Sequence, residues 1–304
     1  MAVYRIVSMD GGGIRGILTA RLLERLDQAL PGFLNKVDLF AGTSTGGLLA
    51  LGLASGFKPD YLRKVYQDFG DTIFADSFIR QIEDLGNLIG AKYPVEPLKQ
   101  VMEKYFKGKR LSDLKKRVLI SSFKLDNEGK GPEGVRMWKM KFFHNYPNED
   151  SDGHELVVDV GLRTAVAPAY FPIYQGYVDG GVAAGNPAMC ALAEALHRHS
   201  GNQRLENCVL LSLGTGFNPH YLPVEDANWG LVQWAPHFLD MMLEADSDMV
   251  HYQVKQLMEE KYMRLNSVLP KPIGMDSVEA MPDLMAAADQ VDLAPVIAWL
   301  KRYF

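Results

Sequence analysis

Cysteine is scarce, with Cys190 and Cys208 the only two in 304 residues. Two thiols cannot staple a small secreted scaffold, and both sit among apolar neighbours as buried thiols do. A reducing compartment and a core held by packing are therefore expected. No run of about 18 apolar residues occurs, so no helix is expected to span a membrane. The first residues, Met1 to Met9, lack the long apolar stretch of a secretory leader, and the expected location is cytoplasmic. Neither a tail of one charge sign nor an internal repeat is present. The net charge of −5, with acids and bases interspersed, argues against a nucleic-acid partner. What the chain does have is apolar residues, 47% of the total, enough for one large core.

It also has glycine in two dense turns within forty residues, Asp10-Gly11-Gly12-Gly13-Ile14-Arg15-Gly16 and Gly42-Thr43-Ser44-Thr45-Gly46-Gly47. Each follows a short apolar run, Val3 to Met9 and then Val37 to Ala41, and each leads into a helical pattern. Strand, tight turn and helix thus occur twice in succession. The second turn fits Gly-x-Ser-x-Gly, whose glycines let the backbone bend enough to present Ser44 at a strand tip, placed for nucleophilic attack.

Apolar residues at helical spacing predict an amphipathic helix over Ile14 to Leu30, ended by Pro31-Gly32. A buried helix is expected over Thr45 to Ala54, stopped by Gly56, and another from Pro59 to Phe69. The loose stretch Asp71 to Val95 reads as an insertion capping the site, and Phe74 and Phe78 are candidates to line an acyl-chain channel. Arg117 to Asp126 and Val135 to His144 read as an antiparallel strand pair. Val160 to Ala167 is expected as a short helix closed by Pro168. After Asp179-Gly180-Gly181 come a helix from Pro187 to His199 and a strand from Cys208 to Leu213, ending in Gly214-Thr215-Gly216. Strands alternating with helices imply a mainly parallel sheet covered on both faces, with ligands at the carboxyl ends of the strands. The motifs must converge, so one domain over residues 1–304 is expected, its last part, 221–304, mostly helical.

The first turn also satisfies the dinucleotide pattern Gly11-x-Gly13-x-x-Gly16, with Asp38 some twenty residues on. A nucleotide-binding regulatory protein is the reading from a different class, although Asp10 would repel a pyrophosphate. The serine turn is at home in α/β-hydrolases, where a Ser-His-Asp esterase would need several strands before the elbow and a histidine base. Only one strand precedes Val37, and none of the histidines 144, 154, 197, 199, 220, 237 and 251 sits in an evident catalytic turn. The remaining glycine-flanked acid is Asp179, in Val178-Asp179-Gly180-Gly181.

With Asp10-Gly-Gly-Gly-Ile-Arg-Gly, Gly-Thr-Ser-Thr-Gly and Asp179-Gly-Gly in this order, the chain resembles the patatin-like phospholipases. Leu211 to Gly216 and Asn186-Pro187 resemble that family too. The resemblance covers residues 3–220 and implies a three-layer α/β/α sandwich with a mainly parallel central sheet. It implies a lipid acyl hydrolase that needs neither metal nor cofactor, with Ser44 as nucleophile and Asp179 as base. It further implies an oxyanion hole from Gly11, Gly12 and Gly13, with Arg15 at its edge and the helix N-terminus at Thr45 adding donors. Gly16, Gly42, Gly46, Gly180 and Gly181 are the remaining motif glycines. The implied partners are membrane glycerophospholipids, met transiently at the bilayer surface. An activity hazardous to the cell that makes it also leads us to expect control by oligomerisation, a partner protein or a small ligand. Two stretches are candidates for the membrane contact: the basic cluster Lys104 to Arg117 and the C-terminal Val296 to Phe304.

Overall fold

The computed structural model describes residues 2–74, 90–222 and 228–304. The described residues form seven strands, β1 (Tyr4–Met9), β2 (Leu39–Thr43), β3 (Arg117–Lys124), β4 (Lys139–His144), β5 (Tyr177–Asp179), β6 (Cys208–Leu213) and β7 (Tyr262–Leu265). They form one sheet in the order β4-β3-β2-β1-β6-β7, with β5 also on β3. β3, β2, β1, β6 and β7 run parallel, while β4 and β5 are antiparallel to β3. The described helices are α1 (Gly16–Ala29), α2 (Thr45–Ser55), α3 (Pro59–Ile73), α4 (Glu96–Phe106), α5 (Val157–Ala165), α6 (Ala188–Leu196), α7 (Leu231–Met258), α8 (Met281–Gln290) and α9 (Ala294–Tyr303).

Period-two alternation divides each central strand between two cores. Val7 and Met9, Phe40, Val118 and Ile120, and Leu211 face a layer built from α1, α2, α4, α5, α8 and α9. Ile6, Leu39, Ala41, Leu119 and Leu210 face α6 and the second half of α7. Strands buried on both faces read as continuous apolar runs, which is why β1, β2 and β6 are apolar nearly throughout. In α1, Leu18, Leu22 and Leu26 recur every fourth residue and are fully buried, so one stripe carries the helix onto the sheet.

The parallel register sets the three glycine-rich turns side by side. Met9 pairs with Gly42 on one flank and with Leu213 on the other, so the turns after β1, β2 and β6 leave the sheet at one level. That level is the carboxyl edge, where a parallel sheet offers its ligand crevice.

Several boundaries differ from the sequence expectation. α3 runs on to Ile73, and α6 stops at Leu196 rather than His199. β4 begins only at Lys139, because Val135, Met137 and Trp138 are exposed beyond the pairing. The C-terminal part is mostly helical, yet it also adds β7 beside β6. The core of the expected capping insertion, residues 75–89 with Phe78, lies outside the described residues. Among the described residues no helix is long and apolar enough to cross a membrane.

Both stretches expected at a membrane have structural duties. α9 buries Val296, Trp299, Leu300 and Phe304 in the core, and the Trp299 indole donates to the Glu260 carbonyl at 2.7 Å. The basic cluster runs from α4 to the start of β3, where Arg117 pairs with Leu39 at the amino end of β2, opposite the glycine turns. There Lys116 Nζ donates to the Asn35 carbonyl and Arg117 to the Asn145 carbonyl, both at 2.7 Å.

Candidate active site

Ser44 stands between β2 and α2 in a conformation that non-glycine residues seldom adopt, φ 53° and ψ −125°. Such strain persists only where the surroundings enforce it. A Cβ on Gly42 would lie 2.1 Å from the Gly46 carbonyl oxygen, and one on Gly46 would lie 2.2 Å from that of Met9. Only glycine at both positions lets the chain turn this sharply against β1. The Ser44 amide donates to Thr164 Oγ1 at 2.8 Å, which ties the elbow to α5. With Thr45 as the first helical residue, the free amides of the opening turn of α2 lie beside the serine.

The sheet delivers Asp179 to this serine. One edge of β3 pairs with β4, so the other is shared, β2 taking Arg117 to Ser121 and β5 taking Ser122 to Lys124. β5 thus occupies the edge that β2 leaves as its chain peels away into the elbow. It runs antiparallel, so its last residue, Asp179, comes down to the level of Ser44. Ser44 and Asp179 line the same small cavity, and the Ser44 hydroxyl bears on the Asp179 carboxylate, favouring its charged form. The Gly181 amide donates to Asp179 Oδ1 at 2.7 Å. Burial pushes the Asp179 carboxyl up to about 7, against the opposing pull of the Ser44 hydroxyl and the Gly181 amide. Gly180 is held against β3, where a Cβ would lie 2.3 Å from Ser121 Oγ.

The first glycine turn brings only part of its expected donors. The Gly11 amide donates to the Gly185 carbonyl at 2.9 Å, so it is not free to hold an oxyanion. The amides of Gly12 and Gly13 have no protein acceptor among the described residues, and both glycines border cavities that Ser44 shares. Gly12 has φ 154°, and a Cβ there would lie 2.3 Å from Thr215 Oγ1. Thr215, in the third turn, donates in turn to the Gly11 carbonyl at 2.9 Å. Arg15 lies on the far side of the turn, 5% exposed, in a separate hollow with Phe217 and Glu244. Burial pulls its guanidinium down, with Asp240 and Glu244 opposing. Gly16 packs on Thr45, whose hydroxyl is hydrogen-bonded to Tyr66.

The same turn offers the dinucleotide reading few donors. The amide of Ile14 donates to the Met275 carbonyl at 2.7 Å, and that of Arg15 to the Gly12 carbonyl at 3.2 Å. Of the donors a pyrophosphate would need at this helix N-terminus, those of Gly11, Ile14 and Arg15 are already taken by protein. Asp10, which precedes the glycines, pairs with Arg264 of β7, at 3.0 Å from Nη1 to Oδ1 and 2.5 Å from Nη2 to Oδ2. Arg264 also donates to Ser212 Oγ at 2.7 Å and Ser247 Oγ at 2.9 Å. These partners lie far apart in sequence, and no motif marks them.

Two cavities meet at Ser44. One is small and holds the polar groups: Gly12, Ser44, Asp179 and Gly181, roofed by Leu243 and Met275. The other is lined almost wholly by apolar side chains and leads away between α2, α3 and α4. Phe74, a candidate channel residue in the sequence, is among its walls. None of the seven histidines is among the described residues that line either cavity.

A model of the patatin-like phospholipases matches residues 7–192. The chain is 36% identical over 233 residues to a putative sporulation hydrolase of Bacillus subtilis, covering 76% of this chain and 69% of that protein. It is 30% identical over 274 residues to a cGAMP-activated phospholipase of Pseudomonas aeruginosa, with 86% and 78% covered. It is also 30% identical over 302 residues to a patatin of Solanum tuberosum, with 86% and 74% covered. The matched span holds both glycine turns and the Asp179-Gly-Gly motif, and amounts to well over half the sequence. The chain belongs to the patatin-like phospholipase family.

Proposed function

We propose that the protein is a serine lipid acyl hydrolase of the phospholipase A type, working through a Ser44-Asp179 dyad on the acyl esters of membrane glycerophospholipids. Membership of the family supports the broader statement, lipid acyl hydrolysis. The observation that carries the finer reading is the strained Ser44 sharing one small cavity with a buried carboxylate, Asp179, whose affinity for a proton is raised to about 7. A carboxylate with its ordinary pKa near 3.9 is a poor base for a serine, whereas one near neutrality is matched to the task.

In this reading Ser44 Oγ bonds to the acyl carbon while its proton passes to Asp179. The carbonyl oxygen takes the negative charge and is held by the amides of Gly12 and Gly13, each worth on the order of 3 kcal/mol in comparable sites. Collapse breaks the ester bond, and Asp179 returns the proton to the departing glycerol oxygen. Water then attacks the acyl-enzyme with Asp179 again accepting a proton, which releases the fatty acid and frees Ser44. The apolar channel takes the acyl chain, and the small polar cavity takes the reacting ester. Contact with the bilayer belongs to the carboxyl edge of the sheet, where both cavities lie.

The test is fatty-acid release from glycerophospholipid vesicles together with covalent labelling by an alkyl fluorophosphonate. Wild-type protein is expected to do both, and Ser44→Ala neither. Replacing each histidine in turn should leave turnover within about tenfold, since loss of a general base costs about a hundredfold or more. Turnover surviving Ser44→Ala, or a folded histidine variant that cannot be labelled, would refute the assignment.

A further inference from the structure

Beyond the site of attack, we infer that the apolar channel is a ruler for acyl chains, ending at a floor made by Phe57, Tyr105 and Phe106. The inference rests on Ser44 being the acylated residue and adds which substrates that residue serves best.

The channel starts at Ser44 and Gly13 and tracks α2 downward past Thr45, Leu48 and Leu49 to Phe57, the residue after the Gly56 cap. α3 runs back along the opposite wall, with Leu62 against Gly52 near the bottom and Ile73 and Phe74 at the top, where Phe74 meets Tyr93 and Phe171. α4 closes the third side with Leu98, Val101 and Met102. Among the described residues no charged side chain enters the lining. The Tyr66 hydroxyl in the wall is already hydrogen-bonded to the Thr45 hydroxyl, and it lies 3.3 Å from the Thr45 carbonyl oxygen. A headgroup finds nothing to bind in such a space, and an alkyl chain finds apolar contact along its whole length.

The floor is aromatic and braced. The Phe57 amide donates to the Gly52 carbonyl at 3.0 Å. Its ring centroid lies 5.5 Å from Phe106, 6.3 Å from Tyr105 and 5.5 Å from Tyr61, and Phe106 itself is buried. Phe106 is the buried part of this floor, with Phe57 and Tyr105 half-buried against it.

The eleven residues of α2 set the depth. At about 1.5 Å per residue the channel is about 16 Å long from elbow to cap. An extended alkyl chain, with bonds of about 1.52 Å at about 111°, advances about 1.25 Å per carbon. A straight acyl chain on Ser44 therefore reaches the floor at roughly 12 to 14 carbons. Up to that length each added methylene leaves water for an apolar wall, worth as much as about fourfold in kcat/KM. Past it, added carbons find no further wall and the gain stops.

The experiment measures kcat/KM for 4-methylumbelliferyl esters from four to eighteen carbons, each as dilute monomer below its critical micelle concentration so that its chain enters from water, each profile normalised to the protein's own four-carbon rate. Wild-type protein should rise with chain length and break at roughly 12 to 14 carbons. Phe57→Ala should move the break to longer chains by removing the floor. Val65→Trp, which fills the middle of the channel, should move it to shorter ones. It decides the matter if Phe57→Ala does not fold. A wild-type profile with no break, or a break unmoved in every variant that folds, would overturn the ruler. Four-carbon turnover that survives Ser44→Ala would instead bring down the underlying assignment of the nucleophile.

Discussion

Asp179→Asn should stabilise the protein while silencing it, and the stabilisation should depend on pH in a way that identifies the carboxylate. In the unfolded chain Asp179 has an ordinary pKa near 3.9. In the fold, burial holds it at about 7. Below about pH 4 the carboxyl is neutral in both states and costs the fold nothing. As pH rises from there the unfolded chain loses the proton first, so folding must take a proton up or leave the charge buried, and stability falls. The fall saturates above about pH 7, once both states are ionised. About three pH units at about 1.36 kcal/mol each give a penalty of about 4 kcal/mol, an upper figure that asparagine, neutral and nearly isosteric, would remove.

Urea unfolding of wild type and Asp179→Asn between pH 4 and pH 8.5 measures this directly. The midpoints should nearly coincide at the acid end and separate steadily up to about neutrality, with the variant the more stable. In parallel, wild-type kcat/KM on a soluble ester should fall on the acid side with an apparent pKa near 7, because the protonated carboxyl cannot accept the serine proton. A stability gap constant across the whole range would mean that Asp179 is not the perturbed group. An acid limb lying near pH 4 would mean that it is not the base.

Two further outcomes follow from the glycine turn. Gly12→Val should lower turnover by two orders of magnitude or more on a soluble ester while circular dichroism stays native, because its Cβ would meet Thr215 Oγ1 at 2.3 Å and turn the amide away from the oxyanion. Arg264→Met should destabilise by about 3 to 5 kcal/mol by leaving Asp10 buried without its partner. The double variant Asp10→Asn/Arg264→Met should recover most of that stability yet keep a kcat lowered about tenfold or more with little change in KM, as expected when donors are misplaced only for the transition state.

The sequence was legible where a residue's identity is forced by backbone geometry. Gly42 and Gly46 border a turn in which a side chain collides with the backbone, and that necessity is what makes Gly-x-Ser-x-Gly readable. β1, β2 and β6 announce themselves as doubly buried parallel strands, and β6 falls at the residues expected, Cys208 to Leu213. What stayed hidden depends on partners far apart in the chain. That Gly11 spends its amide on Gly185 rather than on a ligand is fixed by a contact 174 residues distant, and no local pattern distinguishes it from Gly12. β7, with only four residues, Tyr-Met-Arg-Leu, and an arginine in its middle, does not look like a buried strand. The arginine is buried only because Asp10, Ser212 and Ser247 stand around it. α9 has an apolar stripe with basic residues, and only the docking of Trp299 and Phe304 separates a core helix from an interfacial one.

The match to the family ends at residue 192, but the site does not end there. Asp10 is gripped by Arg264, Gly11 is held through Thr215, and the Ile14 amide and the face of Gly13 both rest on Met275. All three of these residues lie beyond the matched span. Motif glycines make the turn possible, yet glycine is also the residue least able to hold a turn still, since it confines its own backbone so little. An oxyanion hole stabilises the transition state only if its donors are already aimed, because donors that must reorganise give back what they contribute. The rigidity that three consecutive glycines cannot supply has to be imposed from outside. In the proposed site it would come from one buried ion pair, one hydroxyl and one carbonyl contributed by the C-terminal part of the chain.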